Sequence, residues 1–199
     1  MGWKGHKSLH RHTGDQDYDW FGYTCGHCGH KTSGAVLASY SHYSAPSVRL
    51  LLCVECERGS VWHLSNQLVI PGTRPGPSLL GLPTEVAAAY DEAQKSMSVG
   101  AFVATELVCR KILMHVAVDK GAKEGQNFVE YLTYLEKQGY VTPPMKAWVD
   151  LIRSHGNKAA HKLEPPDPIR AESTLLLTAE LLRLIYEMDH YSQKYSPKP

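Results

Sequence analysis

Two short cysteine pairs constrain this chain more than any other feature: Cys25-Gly-His-Cys28 and Cys53-Val-Glu-Cys56, with 24 residues between them. Each CxxC is a tight turn presenting two thiolates, and two such turns at this separation match the ligand spacing of four-cysteine structural zinc sites. The turns carry the glycines such knuckles need, Gly26 and Gly29 in the first and Gly59 after the second. Four thiolates close a tetrahedral shell and leave no position for water or substrate. The expected cofactor is therefore structural Zn2+ held by Cys25, Cys28, Cys53 and Cys56, with His27 and His30 as exposed knuckle residues. A redox CxxC needs only one pair and a thioredoxin-like βαβ pattern, which does not surround these. The fifth cysteine, Cys109, sits in a helical apolar stripe and reads as a small core residue.

Composition changes near residue 65. Residues 1–64 are rich in His, Tyr, Trp and Gly, with short β-like runs VRLLLC (48–53) and SVWHL (60–64), and read as a zinc ribbon that needs its metal as a staple. Residues 65–83 form a Pro/Gly linker, which Leu79, Leu80 and Leu82 can strap onto one domain. Residues 84–192 read as an all-α domain and 193–199 as a frayed tail. Five amphipathic helices are expected. The first is capped by Thr84, the second covers 99–119, and the third, FVEYLTYLEKQ, is stopped by Gly139. PPMKAWVDLIRSHGNKAAHKL gives the fourth, and the fifth starts at Asp167-Pro168. The expected fold class is mainly α: a five-helix bundle preceded by a small β zinc-ribbon module.

With 21 basic and 20 acidic residues, global charge gives no argument for nucleic acid or an anionic membrane. No stretch approaches the roughly 18 consecutive apolar residues of a membrane span, and the opening MGWKGHKSLHRH has no signal-peptide core, so a cytoplasmic protein without membrane contact is expected. HKSLHRH reads as a disordered tail rather than a second metal site. On the ribbon, Trp20, Phe21, Tyr23, Tyr40, His42, Tyr43 and Arg49 offer a stacking and phosphate-contacting surface for RNA or DNA, or else supply the ribbon's small core.

RSHGNKAAHK, residues 153–162, concentrates polar groups in the fourth helix. On a helical wheel Met145, Trp148, Val149, Ile152, Gly156, Ala159, Ala160 and Leu163 gather on one side, and Gly156 would let another helix approach closely. Asp150, Arg153, Asn157 and His161 form a second stripe spread over roughly 80° beside the core. On the second helix Glu106 and Arg110 stand four apart and can pair. If these helices pack together, Glu106, Arg110, Asp150, Arg153, Asn157 and His161 make one polar network. It then either fixes helix register or receives a phosphate, with arginines as anion donors and histidine as proton shuttle.

The helical half resembles the bacterial domain of unknown function 4145, placed among HEPN-like helical bundles. The segments carrying the resemblance are LPTEVAAAYDEA, ATELVCRKIL, LEKQGYVTPPM and above all IRSHGNKAAHKL, over about residues 82–188. In many HEPN ribonucleases an arginine steadies the phosphate, a polar residue such as Asn follows it, and a histidine four to six residues after the arginine does acid/base work. Asn157 and His161 match this motif, Gly156 stands at the arginine position, and Arg153 is the nearest arginine. The resemblance implies a homodimer and a nucleic-acid or protein interaction module of a bacterial defence or stress system. It implies as alternatives a metal-independent endoribonuclease using His161, Arg153 and Asn157, or a purely structural protein-binding scaffold.

Overall fold

The computed structural model describes residues 3–5, 19–42, 45–65, 67–159 and 166–196. The chain divides between Arg74 and Pro75 into two compact units.

Among the described residues the first unit is one antiparallel sheet of six strands: β1 (Trp3–Gly5), β2 (Trp20–Thr24), β3 (Lys31–His42), β4 (Ala45–Leu52), β5 (Gly59–His63) and β6 (Leu68–Ile70). β3 organises it. On one side it pairs with β4, and on the other with β2 along its first half and β1 along its second. β5 and β6 follow β4 in order. The expectation of a small ribbon followed by a five-helix bundle is thereby overturned. VRLLLC and SVWHL do lie in β4 and at β5, but β3, KTSGAVLASYSH, was not visible as a strand. Its Gly, Ala and Ser are weak strand formers, and pairing on both edges satisfies its backbone where local preference does not.

One face of the sheet carries the core. Tyr23, Val36, Leu51 and Trp62 are buried there with Cys25 and Cys53, and Phe21 and Val69 pack against them. Gly34 is required by this packing, because a Cβ would stand 2.4 Å from Cε1 of Tyr23. Arg49 closes one end, its guanidinium 5.1 Å from the Phe21 ring and 5.2 Å from that of Trp62. Phe21, Tyr23 and Arg49 of the expected stacking surface are thus core residues and their lid, whereas Trp20 lies on the opposite face. The side chain of His42, and Tyr43 and the HKSLHRH segment altogether, lie outside the described residues.

The second unit is helical: α1 (Thr84–Ser98), α2 (Phe102–Asp119), α3 (Phe128–Lys137), a 3-10 turn (Pro143–Met145), α4 (Lys146–Ala159), α5 (Pro168–Leu182), a π-helical segment (Arg183–Glu187) and α6 (Met188–Tyr195). Among the described residues six α-helices replace the five expected, since the π segment divides what the apolar periodicity presents as one final helix. α2 is the hub. Cys109, Ile112 and Val116 pack with α1 and α5 residues such as Tyr90 and Leu175, while Leu113 joins Leu132, Val149, Ile152, Leu177 and Leu181. Removing any of these buried leucines is expected to cost about 2–5 kcal/mol, as for other large-to-small core changes.

Helix ends follow local chemistry. Asn127 and Glu130 form a reciprocal capping box on α3, and the Asp167 side chain accepts from the Arg170 amide ahead of Pro168 in α5. Gly139, at φ 83°, ends α3 as expected. Its amide and that of Tyr140 donate to Glu136 O and Leu135 O at 3.0 and 3.1 Å, the paired bonds of a Schellman turn. Thr84 opens α1 without capping it; Pro83 occupies the cap. The segment before α1 is strapped onto this unit. Gln94 Nε2 donates to Pro75 O at 2.9 Å, the Leu80 amide donates to Glu187 Oε1 at 2.9 Å, and Leu79 and Leu82 join the core. Leu80 itself is exposed. Among the described residues no helix is long and apolar enough to cross a membrane.

Candidate metal centre

Both cysteine pairs lie in hairpin loops, Cys25–Cys28 between β2 and β3 and Cys53–Cys56 between β4 and β5. The two loops repeat one backbone design. The Cys25 amide donates to His30 O at 2.9 Å and the Gly29 amide to Cys25 O at 2.8 Å; the Cys53 amide donates to Arg58 O at 3.1 Å and the Glu57 amide to Cys53 O at 2.9 Å. The fourth residue after each leading cysteine takes a left-handed conformation, Gly29 at φ 76° and Glu57 at φ 58°. A side chain at φ > 0 costs about 1–2 kcal/mol, partly offset on replacement by the greater freedom of unfolded glycine. Glu57→Gly is therefore expected to stabilise the sheet unit by about 0.5–1 kcal/mol, raising its urea midpoint without altering metal content.

All four sulfurs lie within 4.8 Å of one another. Cys25 Sγ is 3.8 Å from Cys56 Sγ, and Cys28 Sγ is 3.8 Å from Cys53 Sγ. A tetrahedral ion with metal–sulfur bonds of about 2.3 Å places its ligands about 3.8 Å apart, so the four cysteines can hold a metal ion. All are free thiols, and none is joined in a disulfide. Gly26 and its neighbours close over the first knuckle: a Cβ there would meet Gly72 O at 2.1 Å and Pro71 O at 2.2 Å. His27 is not a ligand; its Nε2 lies 3.0 Å from Gly59 O and links the first knuckle to the exit of the second.

The electrostatics fit a cation. Burial pushes the Cys53 thiol up, but the amides of Cys56 and Glu55 and the neighbouring thiols outweigh it and bring it down to about 7. Burial and the other three cysteines push Cys56 up to about 12. The first thiolate forms readily and later ones resist, because each added negative charge faces the others at short range; a dication removes that repulsion. Cys109 is a different case. It is fully buried in the helical core, and burial pushes its thiol up to about 12, which keeps it neutral and unreactive.

The polar residues of the helical half form two groups instead of one. In the first, Glu106, only 5% exposed, receives Arg170 Nε at 2.7 Å and Nη2 at 2.9 Å, while Arg110 stays 3.8 Å away. In the second, Arg153 donates to Asp150 at 2.6 Å and to Glu136 at 2.8 Å, and Lys146 lies 3.2 Å from Glu136. Arg153 and Lys146 hold the Glu136 carboxyl below its ordinary range. Stability from this cluster is accordingly present above the usual carboxylate pKa and lost as pH falls through the lowered one. Arg153, the sequence's candidate phosphate contact, thus has two carboxylates on its terminal nitrogens. Asn157 is in α4, but its side chain lies outside the described residues, as does His161 entirely. Glu136, Lys146 and Arg170 were not singled out in the sequence. The ion pairs that reveal them span 17 residues for Arg153 with Glu136 and 64 for Arg170 with Glu106, beyond any local pattern.

A family model described as Domain of unknown function (DUF4145) matches residues 91–198, just over half of the chain. No curated protein and no solved structure matches it.

Proposed function

We propose that this chain, which belongs to the DUF4145 family, is a zinc-stapled protein-interaction module that docks its partner on the exposed face of its sheet. Four thiolates at tetrahedral spacing suit Zn2+ and disfavour the oxygen-seeking Mg2+ and Ca2+. With both knuckles in hairpin loops, the ion clamps the β2–β3 hairpin to the β4–β5 hairpin and so fixes the surface that their strands present.

One observation carries the reading. Opposite the core, cross-strand neighbours line up in largely apolar rows: Leu50, Val61 and Ile70 in one, Val48 and Leu68 on either side of His63 in the next, and Trp20 and Leu52 on either side of the buried Ala35 in a third. Trp20 is 57% exposed, Leu68 53%, Ile70 40% and Leu50 36%. By register, Lys31 is the one charged residue of this face among the described residues. Contiguous exposed apolar surface is the mark of a protein interface, whereas a nucleic-acid surface needs cations for the phosphates. A face with so little charge is also self-complementary. A second copy can stack on it sheet to sheet about a two-fold axis without like-charge repulsion.

Sedimentation of the metal-loaded protein tests this. Wild type is expected to self-associate in a concentration-dependent way at micromolar concentration, and Leu50→Lys with Ile70→Lys to be monomeric with unchanged metal content and melting midpoint. A monomeric wild type, or tight and steeply salt-dependent binding to a mixed-sequence RNA, would count against the proposal.

A further inference from the structure

The α2–α3 hairpin carries a cleft of about 530 Å³, a volume within the roughly 300–1,000 Å³ typical of small-molecule sites. Leu107, Met114 and Phe128 supply apolar wall, and Leu107 is 60% exposed. Three nitrogenous side chains of α2, Arg110, Lys111 and His115, also line it, against the one carboxylate of Glu124.

Arg110 is the member that a purely structural cleft leaves unexplained. Both oxygens of Glu106 are engaged by Arg170, at 2.7 and 2.9 Å, and Arg110 reaches Glu106 only at 3.8 Å, beyond hydrogen-bond length. Its Nε is buried without a hydrogen-bond partner among the described residues, and its guanidinium lies 5.4 Å from the Phe128 ring centre. Burial pulls its pKa below the ordinary arginine value, with Glu106 opposing and Arg170 reinforcing the shift. Two arginines therefore share one carboxylate, and the less well served of the two faces the cleft with unused donors. A largely buried cation in this state is costly unless something supplies the missing charge.

We propose that the cleft binds a small organic anion, whose phosphate or carboxylate group is taken by Arg110 with Lys111 and whose apolar body lies along Leu107, Met114 and Phe128. The guanidinium fork matches either head group in a bidentate way. Arg110 and Lys111 leave one positive charge in excess of Glu124. His115, 3.9 Å from Glu85, adds a further donor at the rim. The apolar wall gives an organic anion an advantage over the bare ion.

The test is an NMR titration of the full, metal-loaded chain with phenyl phosphate, phenylacetate and inorganic phosphate. At least one phenyl probe is expected to produce saturable shifts at α2 and α3 amides in the millimolar range and to bind more tightly than inorganic phosphate; the preferred head group separates phosphate from carboxylate ligands. Arg110→Met is expected to weaken that binding by about tenfold or more, as loss of a charge-assisted bidentate contact does, while leaving the thermal midpoint unchanged or higher. Lys111→Gln, an exposed change that threatens no packing, is expected to weaken it by about threefold. The proposal is overturned by three results: no saturable shifts with either phenyl probe, binding by Arg110→Met equal to wild type, or a lowered midpoint in Arg110→Met. The last would make that guanidinium a structural partner of Glu106.

Discussion

Cys53→Ser is expected to release the metal and abolish cooperative folding of the sheet unit while the helical unit keeps its structure. Cys53 is fully buried, and its sulfur stands 3.8 Å from that of Cys28. Replacing a thiolate with a hydroxyl leaves three good ligands, too few for a closed tetrahedral site. Four-cysteine centres contribute on the order of 10 kcal/mol or more to folding in small modules. The sheet's own core is modest: among the described residues its buried apolar cluster consists of Tyr23, Val36, Leu51 and Trp62 besides the cysteines themselves. That core cannot compensate for such a loss. Metal analysis should fall well below one equivalent. Trp62 fluorescence should shift towards that of the unfolded chain, while most far-ultraviolet helical signal and a separate thermal transition persist. Acid should imitate the substitution, because protons compete with the ion for the thiolates and the metal is lost as pH falls. Full metal occupancy in Cys53→Ser, with an unchanged sheet transition, would remove the metal from any structural role.

Glu106→Gln carries the second large effect, in the helical unit. Its carboxylate is almost entirely buried, accepts two hydrogen bonds from Arg170 and is the nearest anion to Arg110. An amide keeps the shape and removes the charge, leaving two largely buried guanidiniums to face each other. Breaking one side of a buried ion pair typically costs about 3–5 kcal/mol, and urea unfolding should show a loss of that size. The companion Glu106→Leu, Arg110→Met, Arg170→Met is expected to recover most of it, since apolar side chains carry no desolvation penalty. A change within about 0.5 kcal/mol for Glu106→Gln, the range of ordinary surface substitutions, would mean that water screens the pair far more than its burial implies.

How far the sequence reaches is visible residue by residue. The four clustered cysteines were readable because CxxC is a local device: the turn that presents the thiols is written into adjacent residues, and only the meeting of the two turns is long-range. Gly139, Asp167 and the Asn127–Glu130 box are likewise short-range chemistry, and the periodicity of α2 and α5 reports burial directly. β3 was hidden because its side chains alternate weakly and two neighbouring strands impose its conformation. The break at Arg183–Glu187 was hidden because apolar periodicity runs straight through it. Of the polar stripe expected on α4, Asp150 and Arg153 do pair with each other, while the side chain of Asn157 and the whole of His161 lie outside the described residues. Arg153 turns to Glu136 on α3, and Glu106 turns to Arg170 on α5.

The sequence by itself determined the two CxxC turns and the helix ends at Gly139 and Asp167, since each rests on interactions within a few residues. Tertiary structure alone decided which strands flank β3, that Trp20, Leu50, Leu68 and Ile70 stay exposed on one face of the sheet, and that Arg170 rather than Arg110 claims Glu106. Those outcomes depend on which distant segments meet, and a charge or an apolar row takes its meaning from what the fold sets opposite it.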